Sequence, residues 1–294
     1  RYSYQLGLRS EYSDISTLLQ QTDESNTQNY FNLFPSAHLN YKLTEDDQVQ
    51  VSYSRRIRRP GFWQLNPFRS FADNRNIHTG NPNLKPIYTN SYELGYLRYW
   101  DKASLNFNTY YRYSTDVFQR IETVDTSGIT YTGPVNFAKN NSYGLELIGN
   151  VSLYKWWNIN GSMNFYRSMT EGEANEIEYN TDYITLTGRV MNKFTIQRGF
   201  DAQLSLNFRG PMDMPQGTRQ ATWSADFGAS KDIFKGKGTL TLSVRDMFGT
   251  RRWAFETLTD DFYTNSEFRW STTTITLNFN YRINQQKKKG GPEG

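Results

Sequence analysis

The sequence predicts an all-β fold, a transmembrane antiparallel β-barrel with about twelve strands in this chain. Three observations lead there. Apolar and polar residues alternate with period two over runs of roughly ten to twenty residues, where an ordinary strand has about five or six. Tyr, Phe and Trp make up 16% of a chain whose mean hydropathy is only −0.77. Short and long connections take turns along the whole length.

The composition combines a polar average with far more aromatic side chains than a solvated surface needs. A membrane barrel has that signature, because its lumen half is polar and its lipid half apolar. No apolar run approaches the ~18 residues of a membrane helix. A large soluble β-protein would use shorter, more aliphatic core strands. There is no cysteine, hence no disulfide framework and no thiolate chemistry. The net charge of +4 comes from scattered arginines, which argues against a nucleic-acid reader.

The strand candidates follow in order. Residues 1–10 set Tyr2, Tyr4, Leu6 and Leu8 on one face. Residues 30–44 and 48–57 do the same with Ala37, Leu39 and Tyr41, then Val49, Val51 and Tyr53. Residues 87–100 and 103–118 meet at Asp101-Lys102 and contribute Tyr92, Leu94 and Tyr96, then Leu105, Phe107 and Tyr111. Runs 136–154, 156–170, 179–196 and 200–210 continue with Leu145 and Leu147, Met163 and Phe165, Leu186 and Val190, Leu204 and Leu206. The last three runs are 221–234, 239–257 and 263–283. Opposite faces carry Asn106, Asn108 and Arg112, or Gln203, Ser205, Asn207 and Arg209.

Short connections fall at 45–47, 101–102, 155–156, 197–199 and 235–238. Long ones fall at 11–29, 58–86, 119–135, 171–178, 211–220 and 258–262. Outer-membrane barrels have short periplasmic turns and longer external loops. The expected location is therefore the bacterial outer membrane, with the long loops extracellular and the C-terminus periplasmic. Tyr99, Trp100, Tyr154, Trp156, Trp157 and Phe234 lie beside the short turns, as an interfacial girdle would. Residues 1–283 form the barrel portion. Residues 284–294, basic and Gly-rich, form a tail expected to be disordered. Arg1-Tyr2-Ser3-Tyr4 already has strand character and not that of a leader peptide, so the chain reads as a mature fragment or as lacking its N-terminal part.

The stretch 48–118 resembles the C-terminal barrel of TonB-dependent outer-membrane transporters, most nearly the outer-membrane β-barrel family of Bacteroidota. The resemblance rests on Tyr53-Ser54-Arg55-Arg56-Ile57-Arg58-Arg59-Pro60, Leu65-Asn66-Pro67-Phe68, Gly80-Asn81-Pro82-Asn83-Leu84-Lys85-Pro86 and Tyr92-Glu93-Leu94-Gly95-Tyr96. Arg245-Asp246-Met247-Phe248-Gly249-Thr250 resembles the penultimate-strand element, and Thr276 to Ile283 the closing strand. The resemblance implies that this chain supplies about the last twelve of roughly twenty-two strands. It implies as partners an N-terminal plug and further barrel strands, and TonB through that plug. Outer-membrane lipid and lipopolysaccharide would surround the barrel, with a surface lipoprotein or other outer-membrane subunits as further partners.

Within the 58–86 loop, Pro60, Pro67, Pro82 and Pro86 cannot donate ladder hydrogen bonds, so sheet gives way to an ordered loop. Phe62, Trp63, Phe68 and Phe71 are expected to pack that loop inward and narrow the mouth. Arg56, Arg58 and Arg59, with Phe62, Trp63 and Phe68 and the wall residue Arg112, are the candidate ligand-binding residues. The arginines suit anionic ligands or lipopolysaccharide phosphates; ion pairing with neighbouring loops is the alternative. His38 and His78 have no metal-spaced companion. The loop acids Glu171, Glu173, Glu176, Glu178, Asp260 and Asp261 suit a solvated surface better than a calcium site. With no phosphate loop or nucleophile motif, neither enzyme activity nor a cofactor is expected. Three readings are weighed: a nutrient importer taking a siderophore, glycan or peptide, a non-transporting subunit of a larger outer-membrane assembly, or a freestanding twelve-stranded pore or outer-membrane enzyme.

Overall fold

Alternation of this length resolves into one antiparallel meander. The computed structural model describes residues 1–20, 23–68, 74–174, 177–196, 199–258, 263–269 and 272–283. The first six strands are β1 (Tyr2–Leu19), β2 (Glu24–Lys42), β3 (Asp47–Arg58), β4 (Ile87–Trp100), β5 (Ala103–Val124) and β6 (Thr130–Tyr154). The next six are β7 (Trp157–Ala174), β8 (Thr181–Ile196), β9 (Phe200–Arg209), β10 (Thr222–Ile233), β11 (Gly238–Arg245) and β12 (Thr274–Tyr281). Each pairs with the next in chain order, and β1 and β12 leave the sheet open at both edges among the described residues.

The register turns alternation into two surfaces. One row joins Tyr4, Leu39, Val51, Leu94, Thr109, Leu145, Phe165 and Leu186 across β1 to β8. A second joins Phe107, Leu147, Met163, Gly188, Phe208 and Trp223 across β5 to β10. On the other face Asn40, Gln50, Gly95, Asn108, Glu146, Asn164, Thr187 and Arg209 align from β2 to β9. A slip of one residue at any pair would exchange the two surfaces, so hydrophobic burial fixes the register.

The apolar belt has polar and aromatic borders. At its upper edge Arg167 Nε donates to Asp182 at 2.7 Å, and its Nη1 to the Tyr143 hydroxyl at 3.1 Å. At its lower edge Trp156, Trp157 and Phe194 form a cluster of stacked rings, with centroids 5.7 to 6.2 Å apart. The chain climbs from Trp157 to Arg167 in β7 between these borders, which matches the roughly 9–11 residues of a bilayer-crossing strand. β5 and β6 run to 22 and 25 residues, so their upper parts stand beyond the belt.

Those upper parts correct several expected loops. β1 and β2 continue through most of 11–29, β5 and β6 through most of 119–135, and β7 to Ala174. Beyond the apolar belt a ladder needs no apolar face, so the sequence alternation ends before the hydrogen bonding does. The run 239–257 is not one strand: β11 stops at Arg245. The run 263–283 is likewise divided. Segments Trp253–Leu258 and Tyr263–Phe268 join the hairpin Met212–Met214/Gly217–Arg219 in a separate four-stranded sheet. The expected loop 211–220 is that hairpin, and the 258–262 connection lies within a much longer excursion from 246 to 273. Phe71, Glu176, Asp260, Asp261 and the 284–294 tail lie outside the described residues.

Candidate ligand-binding site

Segment 59–86 leaves β3 as a single helical turn, Phe62–Leu65, and returns through Asn76–His78, which pairs in parallel with Thr130–Thr132 of β6. Gly80 packs so closely that a Cβ would sit 2.4 Å from the Asn66 carbonyl oxygen. Asn81 builds the following turn, its Oδ1 accepting from Asn83 N at 2.9 Å, and its amide donates to Pro134 O at 3.2 Å. Leu84, 1% exposed, then enters a core with Ile87, Val117, Phe118 and Ala138, against which Leu65 and Phe137 pack. Asn136 clamps the exit: its Oδ1 accepts from Lys85 N at 2.7 Å and its amide donates to Lys85 O at 3.0 Å.

Leu84 therefore anchors the loop, with Leu65 packed against it, and Phe62, Trp63 and Phe68, expected to pack it inward, do not. Phe62 and Trp63 are 71% and 82% exposed, in edge contact at 5.3 Å, and Phe68 is half exposed. Leu84→Ala is expected to loosen the loop by about 2–4 kcal/mol, the usual cost of a leucine cavity. Faster protease cleavage within 59–86, with the barrel still resisting denaturation in detergent, would show it; unchanged cleavage would contradict the anchor.

The arginine cluster divides. Arg59 donates to the Tyr30 hydroxyl at 3.2 Å and Ser13 Oγ at 3.1 Å and ion-pairs with Glu11, tying the loop to β1 and β2. That pairing is the alternative foreseen for the cluster. Arg58 lies over the Phe118 ring at 5.1 Å, and Arg56 is exposed two residues before it. Arg112 sits lower on the wall, over Tyr110 at 4.0 Å and 3.6 Å from Glu93. The structure thus spreads the candidate residues over rim and wall and gathers no single site from them.

A different site emerges on the polar face. The 212–219 hairpin folds back across the mouth, where Gln216 makes a ladder-like pair with Glu122 of β5: Glu122 N donates to Gln216 Oε1 and Gln216 Nε2 to Glu122 O, both at 2.8 Å. Gly217 follows because a Cβ there would meet Glu256 O at 1.9 Å. Behind the hairpin lies a pocket of about 730 Å³, bounded by β6 to β10 and by Arg219, Gln220 and 251–254. Five arginines line it, Arg189, Arg209, Arg219, Arg251 and Arg252, against the carboxylates Glu146 and Asp226.

Arg251 is paired with Asp226 at 3.0 Å and Arg252 with Glu267 at 3.0 Å. Arg219 has no such partner among the described residues, and its Nε is buried without an acceptor. Burial first, then neighbouring Arg209, pulls its guanidinium below the ordinary arginine value. Arg209 was legible as a polar-face position of its strand. Arg219 was not, because only the back-folded hairpin brings it there.

A family model for outer membrane protein β-barrels matches residues 1–281. The chain belongs to the outer membrane protein β-barrel family. The apolar belt of this β-barrel protein therefore faces lipid, and its polar face is the lumen wall. No curated protein matches the sequence. Among solved structures the barrel is similar to the FrpB iron transporter from Neisseria meningitidis (F3-3 variant), at 13% identity and TM-score 0.61 over 95% of this chain and 43% of that one. It is similar to the copper transporter OprC at 13% identity and TM-score 0.64, over 96% and 45%. The ferric yersiniabactin uptake receptor FyuA from Yersinia pestis gives 16% and 0.61, over 95% and 43%. At these identities the likeness is one of fold, and the chain spans less than half the length of each.

Proposed function

We propose that this chain is the C-terminal barrel portion of a TonB-dependent transporter that takes up a nutrient ligand through the outer membrane. The supporting observation is the match of an open twelve-strand sheet, over nearly its whole length, to under half of each of several transporter barrels. Further strands pair with the free edges of β1 and β12, and a plug fills the lumen and couples to TonB. The long-loop end faces the outside and the short turns the periplasm. Exposed Phe62 and Trp63 at the rim, with Arg56 and Arg58, make the first contacts with the ligand, and lipopolysaccharide surrounds the outer rim.

The test uses the full-length protein in its native host. Deleting it should abolish growth on one member of a panel of iron chelates, glycans and peptides, and a protonophore should abolish uptake of that compound. Replacing 60–79 by a short Gly-Ser linker, which keeps Leu84, should lower uptake at least tenfold while the barrel still inserts. Growth unchanged across the panel, with the protein recovered in a fixed stoichiometric complex, would reject transport in favour of a structural subunit.

A further inference from the structure

We propose that the lumen pocket is an anion site in which Arg209 and Arg219 together hold a carboxylate- or phosphate-bearing ligand. This deepens the transport reading and rests on it for the ligand's route, though not for its binding.

The inference starts from charge balance. Two of the pocket's arginines are neutralised by their own carboxylates, Arg251 by Asp226 and Arg252 by Glu267. Arg209 and Arg219 have no ion-pair partner among the described residues, and neither does the third wall cation, Arg189. Glu146, the remaining carboxylate on the wall, comes within ion-pair distance of none of them. Arginine cannot relieve such repulsion by losing a proton. Two neighbouring guanidiniums, one half-buried with an unmet N–H, are costly to hold together unless an anion joins them.

The geometry favours an oxyanion over a neutral ligand. A guanidinium presents parallel N–H donors that match the two oxygens of a carboxylate or phosphate. Arg209 ends β9 on the wall, whereas Arg219 comes from the hairpin that roofs the lumen. An anion between them would therefore bridge wall and roof. Trp253 supplies a flat apolar wall to the rest of a ligand. A cavity of about 730 Å³ accommodates a small ligand of several functional groups.

Equilibrium dialysis of the full-length, detergent-purified protein against labelled tricarballylate, inorganic phosphate and glucose, at constant ionic strength, tests the site. Saturable binding of tricarballylate or phosphate is expected, with glucose excluded; which anion binds more tightly distinguishes carboxylate from phosphate recognition. The Arg209→Gln/Arg219→Gln double variant should bind at least tenfold more weakly, and the Arg209→Lys/Arg219→Lys variant should lie between. An Arg98→Gln variant, altered near the short-turn end, should bind like the parent. Heat-modifiable migration confirms that each variant is folded. Absence of anion binding, equal binding of glucose, or unchanged affinity in the Gln variant would overturn the proposal. Binding retained in a protein that fails every uptake assay would overturn transport alone. Uptake unchanged in the Gln variant would overturn the anion site alone.

Discussion

Leu147→Arg in the full-length protein is expected to cost about 2–4 kcal/mol of folding stability in the membrane and to cut the yield of assembled barrel severalfold. Leu147 lies midway down the lipid face, between Phe107 and Met163 in its row. Its distance from both borders of the belt denies an arginine side chain an easy path to water. Asn150→Arg supplies the control on the same strand. Asn150 is exposed on the lumen face, where its Oδ1 accepts a 2.9 Å bond from Asn158, so arginine there should cost under about 1 kcal/mol. Urea titration of the protein refolded in vesicles, read by gel migration of unheated samples, measures both. Equal tolerance of the two substitutions would mean that the Leu147 face does not meet hydrocarbon.

The contrast between those positions also explains what the sequence could and could not show. Val51, Leu94, Leu145 and Phe165 are legible as one face because lipid on one side and water on the other force a period of two. The same rule is silent above the belt. Ser10 to Thr17 of β1 continue a ladder to Asn26 through Leu33 of β2 with water available to both faces, so no apolar alternation marks them. Within β5, Asp116 takes a left-handed backbone (φ 55°) at a register shift, and the strand resumes on the other side of it. The loop landmark Gly80-Asn81-Pro82-Asn83-Leu84 was visible as punctuation, but that Leu84 anchors the segment follows only from its contact with Val117 and Phe118. The lumen pocket was least legible. Arg209 and Arg219 come together because a hairpin crosses the mouth and bonds to Glu122, and no local pattern encodes a contact at that separation.

Asp246→Ala should have the largest effect on the loop sheet while sparing the membrane-spanning strands. Asp246 is 1% exposed, with φ 50°, immediately after β11 ends. Its carboxylate accepts from Thr250 N at 3.0 Å and from Arg251 N at 3.1 and 3.2 Å. Its own N–H donates to Asp226 Oδ1 at 2.8 Å, and its carbonyl accepts from Thr273 Oγ1 at 2.7 Å. This knot turns the chain out of the barrel wall, and it explains why 239–257 is not one strand. Alanine would leave two backbone donors unpaired, at about 1–3 kcal/mol each, and would hold a side chain in a left-handed conformation at roughly 1–2 kcal/mol more. Asp246→Asn keeps an acceptor oxygen and tolerates that backbone, so it should lose far less. Asp246→Gly relieves the backbone but not the missing acceptor and should fall between. Protease cleavage within 246–273 should therefore rise from parent to Asn to Gly to Ala. Anion binding should fall in the same order, since the knot holds Arg251 beside Asp226 in the pocket. A cleavage pattern for the alanine variant matching the parent's would show that Asp246 does not hold the turn, and that the loop sheet is kept in place by its own strand pairing.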